Sequence, residues 1–172
     1  MRLKVIGDEK ECTLVIPADM VIKGDVNLSD MGLTKLPDLS AVTVNGNFDC
    51  IGNRLTSLEG APKSVGGDFD CAFNELTSLK GAPKSVGGGF YCYDNQLTSL
   101  DDAPKSVGGD FDCSGNKLLM SLGGVSQEIG GKFICDNRRL VQESKEIQQV
   151  RFAAKQKEIS VGLARQAKQR KK

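Results

Sequence analysis

Cysteine is the residue type with the most regular spacing in this chain. Cys50, Cys71, Cys92 and Cys113 are each 21 residues apart, and Cys135 follows after 22. Thiolates bind soft metals, but cysteine metal sites use clusters such as C-x-x-C, which this spacing lacks. Cysteines stacked on parallel strands also point the same way, which disfavours disulfides between them. We therefore interpret these thiols as reduced, small apolar side chains that fill a narrow core, and we expect no metal and no other cofactor.

The chain contains no histidine. This excludes Ser-His and Cys-His pairs, most catalytic zinc sites and the commonest general base near neutral pH. The glycines lack the spacing of a phosphate-binding loop, and no long insertion exists to form a pocket. Carboxylate pairs such as Asp68 with Asp70 suit acid–base chemistry or a hard cation in principle, but a solvated strand face that carries negative charge is the ordinary explanation. We expect a protein that is not an enzyme and has no small-molecule substrate.

The chain has only two tyrosines, Tyr91 and Tyr93. Both fall at positions that an extended strand turns toward solvent. Asp70, Asp112 and Phe73 lie at or near the equivalent positions of the neighbouring strands. Exposed aromatic residues at the centre of a surface are typical of protein-binding hot spots. The sequence therefore predicts a partner-binding strand face made of these five residues. Tyrosines that merely cover a drifted repeat are the alternative.

These residues belong to a repeat that extends through most of the chain. Each cysteine follows a phenylalanine by two residues: Phe48, Phe69, Phe90, Phe111 and Phe133. A leucine lies five residues after each cysteine: Leu55, Leu76, Leu97, Leu118 and Leu140. Asparagines follow the cysteines closely: Asn53, Asn74, Asn95, Asn116 and Asn137. An earlier copy has Val26 and Leu28 at the Phe and Cys positions. A repeat of about 20 to 50 residues is typical of solenoids.

Elementary strand geometry predicts how the copies stack. In x-F-x-C-x the Phe and Cys side chains lie on one side of a strand, and their neighbours lie on the other. Parallel stacking at about 4.8 Å then forms a Phe ladder and a Cys ladder inside the molecule. The asparagine turns inward and bonds neighbouring backbone where the chain bends. Each copy depends on its neighbours for hydrogen bonds and for closing the core, as solenoid repeats generally do.

The pattern F-x-C-x-x-N-x-L resembles the second half of the leucine-rich-repeat pattern L-x-x-L-x-L-x-x-N-x-L. Residues 33–58 are similar to the short repeats of secreted bacterial effectors, and the LTSLxxAPKSVGG segments resemble repeat proteins of bacteriophages and bacteria. The resemblance covers about residues 23–140 and implies a mainly β repeat solenoid, a leucine-rich-repeat-like parallel β stack. Glycine replaces the first leucine of the pattern at Gly66, Gly87 and Gly108, which predicts a tighter turn before the strand.

The sequence divides into three parts. Residues 1–22 are predicted to form an N-terminal β cap, because RLKVIGDEKECTLVIP has the pattern of a hairpin. Residues 23–139 form the solenoid. Residues 140–172 form a basic helical tail without proline, with nine Lys or Arg against three Glu. The first half of this helix is expected to cap the last repeat, with Ser160 and Gly162 as a candidate break.

These features favour a non-catalytic protein–protein interaction module from a phage or bacterium, whose partner is a host factor. The first alternative is nucleic-acid or ribonucleoprotein binding through the basic tail and a stripe formed by Lys63, Lys84 and Lys105. The tail residues expected to take part are Arg165, Lys168, Arg170, Lys171 and Lys172. The second alternative is a structural component of a virion or another assembly.

The compartment is predicted from what the sequence lacks. No apolar run is long enough to span a membrane, and the first residues are too polar for a signal peptide. We therefore expect a cytoplasmic protein, in the host cytoplasm if a phage encodes it, with no membrane partner.

Overall fold

Successive copies of the repeat form successive coils of a parallel β-solenoid. The structure is a computed structural model that describes residues 20–169, with side chains through residue 161. Each coil contributes two strands of two residues. The first strands form sheet A: β1 (Val21–Ile22), β3 (Thr43–Val44), β5 (Ser64–Val65), β7 (Ser85–Val86), β9 (Ser106–Val107) and β11 (Glu128–Ile129). The second strands form sheet B: β2 (Val26–Asn27), β4 (Phe48–Asp49), β6 (Phe69–Asp70), β8 (Phe90–Tyr91), β10 (Phe111–Asp112) and β12 (Phe133–Ile134).

The predicted repeat solenoid is confirmed, and the structure adds a second sheet to it. The sequence pattern predicts one strand per repeat, at the Phe and Cys positions, which is sheet B. Sheet A arises because the valine of each Ser-Val pair is buried while its serine is half-exposed. In these coils the valine is the one buried residue of the strand, and a single buried position shows no alternation, so periodicity could not reveal it.

The Phe ladder runs through the core next to sheet B. Successive ring centroids, from Phe48 through Phe133, are 5.2, 5.4, 5.2 and 5.7 Å apart. The first four rings are fully buried, and so are the cysteines that follow them. Val26 and Leu28 are buried in the corresponding places of the first coil, as the alignment predicts.

The repeat leucine of the fifth coil is not where the alignment places it. Leu118 is 57% exposed, whereas Leu119 is only 3% exposed and joins the core. This coil has one extra residue, since Cys113 and Cys135 are 22 residues apart. A local turn accommodates it, in which the Leu119 N–H donates to the Asn116 carbonyl at 3.0 Å. The prediction of a core position for Leu118 is therefore wrong by one residue.

The asparagines after the strands turn inward, as predicted, in four coils. The Asn95 amide donates to the carbonyls of Cys71 and Cys92 at 3.0 and 3.2 Å, and its oxygen accepts the Leu76 N–H at 2.9 Å. Three other asparagines, Asn53, Asn74 and Asn116, hold the chain in the same way. Asn137 is the exception to the prediction. It lies two residues after its cysteine, not three, and its side chain accepts the Arg139 N–H at 3.1 Å.

The basic tail is helical, as predicted. Helix α1 (Arg138–Gln169) begins after the Asn137 cap and continues without interruption, so the candidate break at Ser160 and Gly162 is wrong. The Ser160 hydroxyl donates to the Lys157 carbonyl at 2.8 Å, which satisfies this polar group inside the helix. Leu140 and Ser144 are buried against the last coil, so the first half of the helix covers the end of the solenoid.

The predicted N-terminal hairpin lies outside the described residues. Strand β1 lies within the range predicted for the cap, yet it pairs in parallel with β3 as part of the solenoid. Residues 20–169 contain no helix that is both long and apolar enough to cross a bilayer.

Candidate functional site

The predicted partner-binding face lies on the outer side of sheet B. Tyr91 in β8 is the in-register neighbour of Asp70 in β6 and of Asp112 in β10. All three side chains are half-buried, while Phe90, one residue before Tyr91, is fully buried. The structure therefore places Tyr91 between two carboxylates on a face supported from beneath by the Phe ladder.

Gly89 makes room for the Tyr91 ring. A Cβ at residue 89 would overlap the Cζ and hydroxyl of Tyr91, so no larger residue fits while the ring keeps this position. The other coils carry Asn47, Asp68, Asp110 or Lys132 at this position. Gly89 and Tyr91 thus occur in the same coil, where the Tyr91 ring lies over the backbone of residue 89.

Phe73 and Tyr93 form an aromatic pair beside Tyr91. Their ring centroids are 5.3 Å apart and their planes are nearly perpendicular, an edge-to-face contact that aromatic rings prefer. Phe73 is 53% exposed and has a φ of +52°, in the left-handed region. A residue with a side chain in such a conformation costs about 1–3 kcal/mol. The same left-handed conformation recurs in other coils, at Asp30, Gly52, Asp94 and Gly115, and only in this coil does the position carry an aromatic ring.

The outward carboxylates help to hold the coils in place. Asp70 and Asp112 each accept a backbone N–H two residues further on, from Ala72 and Ser114, at 2.9 Å. Asp68, two residues before Asp70, connects successive coils, since its carboxylate accepts the Gly89 N–H at 2.7 Å. Each carboxylate therefore has one oxygen that fixes the backbone, which accounts for the recurrence of aspartate at these positions.

The face is electronegative. The two ion pairs within the described residues, Lys80 with Glu59 and Lys155 with Glu128, both lie elsewhere. Burial raises the pKa of Asp70, and the nearby charges of Asp49, Asp68 and Asp112 raise it further against the hydrogen bond from Ala72. Burial and then the surrounding aspartates also raise the pKa of both tyrosines, so their hydroxyls stay neutral. A positively charged partner would relieve the repulsion among these carboxylates.

Within the described residues, no three Cys, Asp or Glu side chains lie close enough together to share a metal ion. The carboxylates project side by side from a flat sheet, whereas a hard cation needs several oxygens that converge on one point.

The predicted lysine stripe lies away from the tyrosine face. Lys63, Lys84 and Lys105 are exposed and stack beside sheet A, where the Lys84 N–H donates to the Lys63 carbonyl at 2.9 Å. Arg165 and Lys168 are part of α1, but their side chains lie outside the described range, as do residues 170–172.

Sequence reasoning missed a groove between sheet A and the helix. It has a volume of about 1070 Å³. Its floor is a ladder of small hydroxyl side chains, Ser64, Ser85 and Ser106, and its wall includes Arg151 and Phe152 of α1. The groove could not be predicted because it depends on the second sheet and on the path of the helix.

Cys135 is the accessible thiol among the cysteines of residues 20–161. Burial raises the pKa of Cys71 and Cys92 well above the usual value, whereas a hydrogen bond with Cys113 lowers the pKa of Cys135 to about 7. Among these five cysteines we expect iodoacetamide to modify Cys135 first, with a rate about tenfold higher at pH 8 than at pH 6, because the thiolate is the nucleophile. Peptide mapping by mass spectrometry would measure this.

A Cys135→Ser variant is the control, since the peptide that contains residue 135 should no longer be modified while the buried thiols of the core stay unreactive. Alkylation of Cys71 or Cys92 in the folded protein at the same rate as Cys135 would contradict the stacked core.

The chain matches no protein-family model, no curated protein and no solved structure.

Proposed function

We propose that the protein is a non-catalytic protein-interaction module that binds its partner through the tyrosine face, formed by Tyr91, Tyr93, Phe73, Asp70 and Asp112. The observation that carries this proposal is a set of linked departures from the repeat. Gly89 accommodates the Tyr91 ring, and an aromatic residue, Phe73, contacts Tyr93 from a left-handed position that other coils fill with glycine or aspartate. A merely drifted repeat gives no reason for these changes to converge on one surface.

The physical properties of the face suit binding. Tyrosine supplies a large contact area with few rotatable bonds, so little entropy is lost when a partner docks. The strands beneath are held in register by neighbouring coils on both sides, so the aromatic rings already stand on an ordered surface. Aspartates around the rings form a polar rim, as at the periphery of protein interfaces.

The proposal also covers the origin of the protein and the compartment in which it meets its partner. The resemblance of the repeats to phage and bacterial repeat proteins supports a partner that is a host factor, met in the host cytoplasm. A virion or assembly component would use the same solenoid as a stiff spacer, and its partner would then be a structural protein.

Replacing both tyrosines with serine tests the proposal. We expect Tyr91→Ser with Tyr93→Ser to weaken partner capture about thirtyfold, since truncating a hot-spot residue costs about 2 kcal/mol or more. Affinity capture from lysate identifies the partner, and titration of that partner gives the dissociation constant. The fold should persist, because both rings lie on the surface.

Phe152→Ser is the matched control, since it removes an exposed aromatic ring from the helix. Circular dichroism checks that every variant keeps the wild-type fold. Capture that is unchanged in the double tyrosine variant would show that the tyrosine face is not the binding site.

Nucleic-acid binding through the tail is the second candidate function. It is favoured by the excess of Lys and Arg after residue 140 and by the exposure of residues 152–161. Binding driven by phosphate contacts falls steeply as salt rises, whereas binding through a hot-spot interface responds much less.

A further inference from the structure

Two surfaces of opposite charge lie on different parts of this chain. Residues 1–139 contain 14 Lys or Arg and 19 Asp or Glu, whereas the last 33 residues contain nine and three. The tyrosine face is a centre of the negative charge, because Asp49, Asp68, Asp70, Asp110 and Asp112 form no ion pair within the described residues. Each surface could therefore attract the other.

The described side chains of the second half of α1, residues 154–161, are exposed on all sides of the helix. Every side chain from residue 154 to residue 161 is exposed, including apolar Ile159 and Val161 and basic Lys157. The helix then continues to Gln169, and at about 1.5 Å per residue the stretch after Lys155 adds about 20 Å of length. An exposed helix that mixes apolar and basic side chains is suited to an acidic aromatic surface.

The helix is held away from the tyrosine face of its own molecule. Arg151 donates to the Ser126 carbonyl at 2.7 Å, and Lys155 pairs with Glu128 of β11. Both contacts are made at sheet A, whereas Tyr91 lies on the outer side of sheet B. The helix can meet an equivalent tyrosine face most directly on another molecule.

We propose that the second half of α1 in one copy binds the tyrosine face of a second copy of this chain. Lys157 pairs with Asp70 or Asp112, the sequence after it adds further positive charge, and the exposed side chains of Ile159 and Val161 contact the tyrosine rings. This inference rests on the proposed function, since it names the partner of the same face. The contact joins two different surfaces, so it continues from copy to copy unless the rotation closes a ring.

Sedimentation velocity of the full chain tests the inference. We expect oligomers that grow with protein concentration at about 0.05 M NaCl, with an apparent dissociation constant at least tenfold higher at about 0.5 M NaCl. The face variant is Asp70→Asn with Asp112→Asn, because asparagine keeps the oxygen that accepts the Ala72 and Ser114 N–H groups. The helix variant is Lys157→Glu with Arg165→Glu and Lys168→Glu, which leaves the Lys155–Glu128 pair intact.

Each variant alone should be monomeric at concentrations where the wild type associates. Mixed, the two variants should form a one-to-one complex and no longer chain, because one supplies the intact helix and the other the intact face. The same mixture with Tyr91→Ser and Tyr93→Ser added to the helix variant should not associate. This complementation is specific to a contact between two different surfaces.

A wild-type chain that stays monomeric at both salt concentrations would overturn the inference. Oligomers that persist in the face variant, or that form only when an RNA oligonucleotide is added, would overturn it as well. The proposed function would survive any of these results if capture of another protein still required Tyr91 and Tyr93. It would fail on its own if the double tyrosine variant captured its partner at wild-type strength.

Discussion

Replacing Phe90 with alanine is expected to destabilise the solenoid by about 3–5 kcal/mol. The ring is fully buried, and its centroid lies 5.4 Å from that of Phe69 and 5.2 Å from that of Phe111. Alanine would leave a cavity between two coils and remove both ring contacts. Because each repeat is stabilised by its neighbours, damage at a central coil weakens the interfaces on both sides of it.

Urea unfolding followed by circular dichroism would measure the change in free energy. Phe152→Ala is the matched control, since the same atoms are deleted from a ring that is 65% exposed, and its effect should stay within about 0.5 kcal/mol. Equal effects of the two substitutions would mean that the phenylalanines do not stack inside the molecule.

Replacing Asn95 with alanine is expected to destabilise the protein by about 3 kcal/mol. The Leu76 N–H would lose its partner inside the core, and a buried unpaired donor costs about 1–3 kcal/mol. The carbonyls of Cys71 and Cys92 would each lose one of two donors, because Asn74 and Asn116 also bind them. The remaining effect comes from these lost bonds, at about 1 kcal/mol each.

Asn45→Ala provides the comparison for Asn95→Ala. The Asn45 side chain is exposed and makes no hydrogen bond within the described residues, so its loss should change stability by less than about 0.5 kcal/mol. The same urea titration applies to both variants. A loss of less than about 1 kcal/mol in Asn95→Ala would contradict the buried asparagine ladder.

The asparagine ladder also affects the proposed binding site. Asn95 donates to the Tyr93 carbonyl at 3.2 Å, so it holds the turn from which the tyrosine ring projects. We therefore expect Asn95→Ala to weaken capture of the partner under conditions where the protein is still folded. The site depends on the internal hydrogen bonds of the coil as well as on its exposed rings.

Much of the fold was predictable because the repeat is nearly exact. The same residues recur at one spacing, so a side chain that suits the core in one coil suits it in every coil. Phe90, Cys92 and Asn95 are examples, and the structure confirms the position of each. The exception, Leu118, lies in the coil with an extra residue, where alignment by counting shifts the core position.

The candidate site was predictable only in part. The alternation of side chains along an extended strand predicted that Tyr91 and Tyr93 face outward. The in-register stacking of the coils places Asp70 and Asp112 on either side of Tyr91. The positive φ of Phe73 and the collision that a side chain at residue 89 would cause were not visible in the pattern. Both depend on local backbone geometry, which residue types constrain but do not specify.

The sequence by itself determined the coil: its length, its buried ladders and the helix that follows it. The residues of each repeat contain the apolar side chains and the asparagine that its own burial and hydrogen bonding require. Only the tertiary structure decided that Ser-Val pairs form part of a second sheet, that α1 lies beside that sheet, and that the tyrosine face remains uncovered by the helix. These features depend on contacts between residues far apart in the chain, such as Arg151 with Ser126, which no repeat pattern encodes.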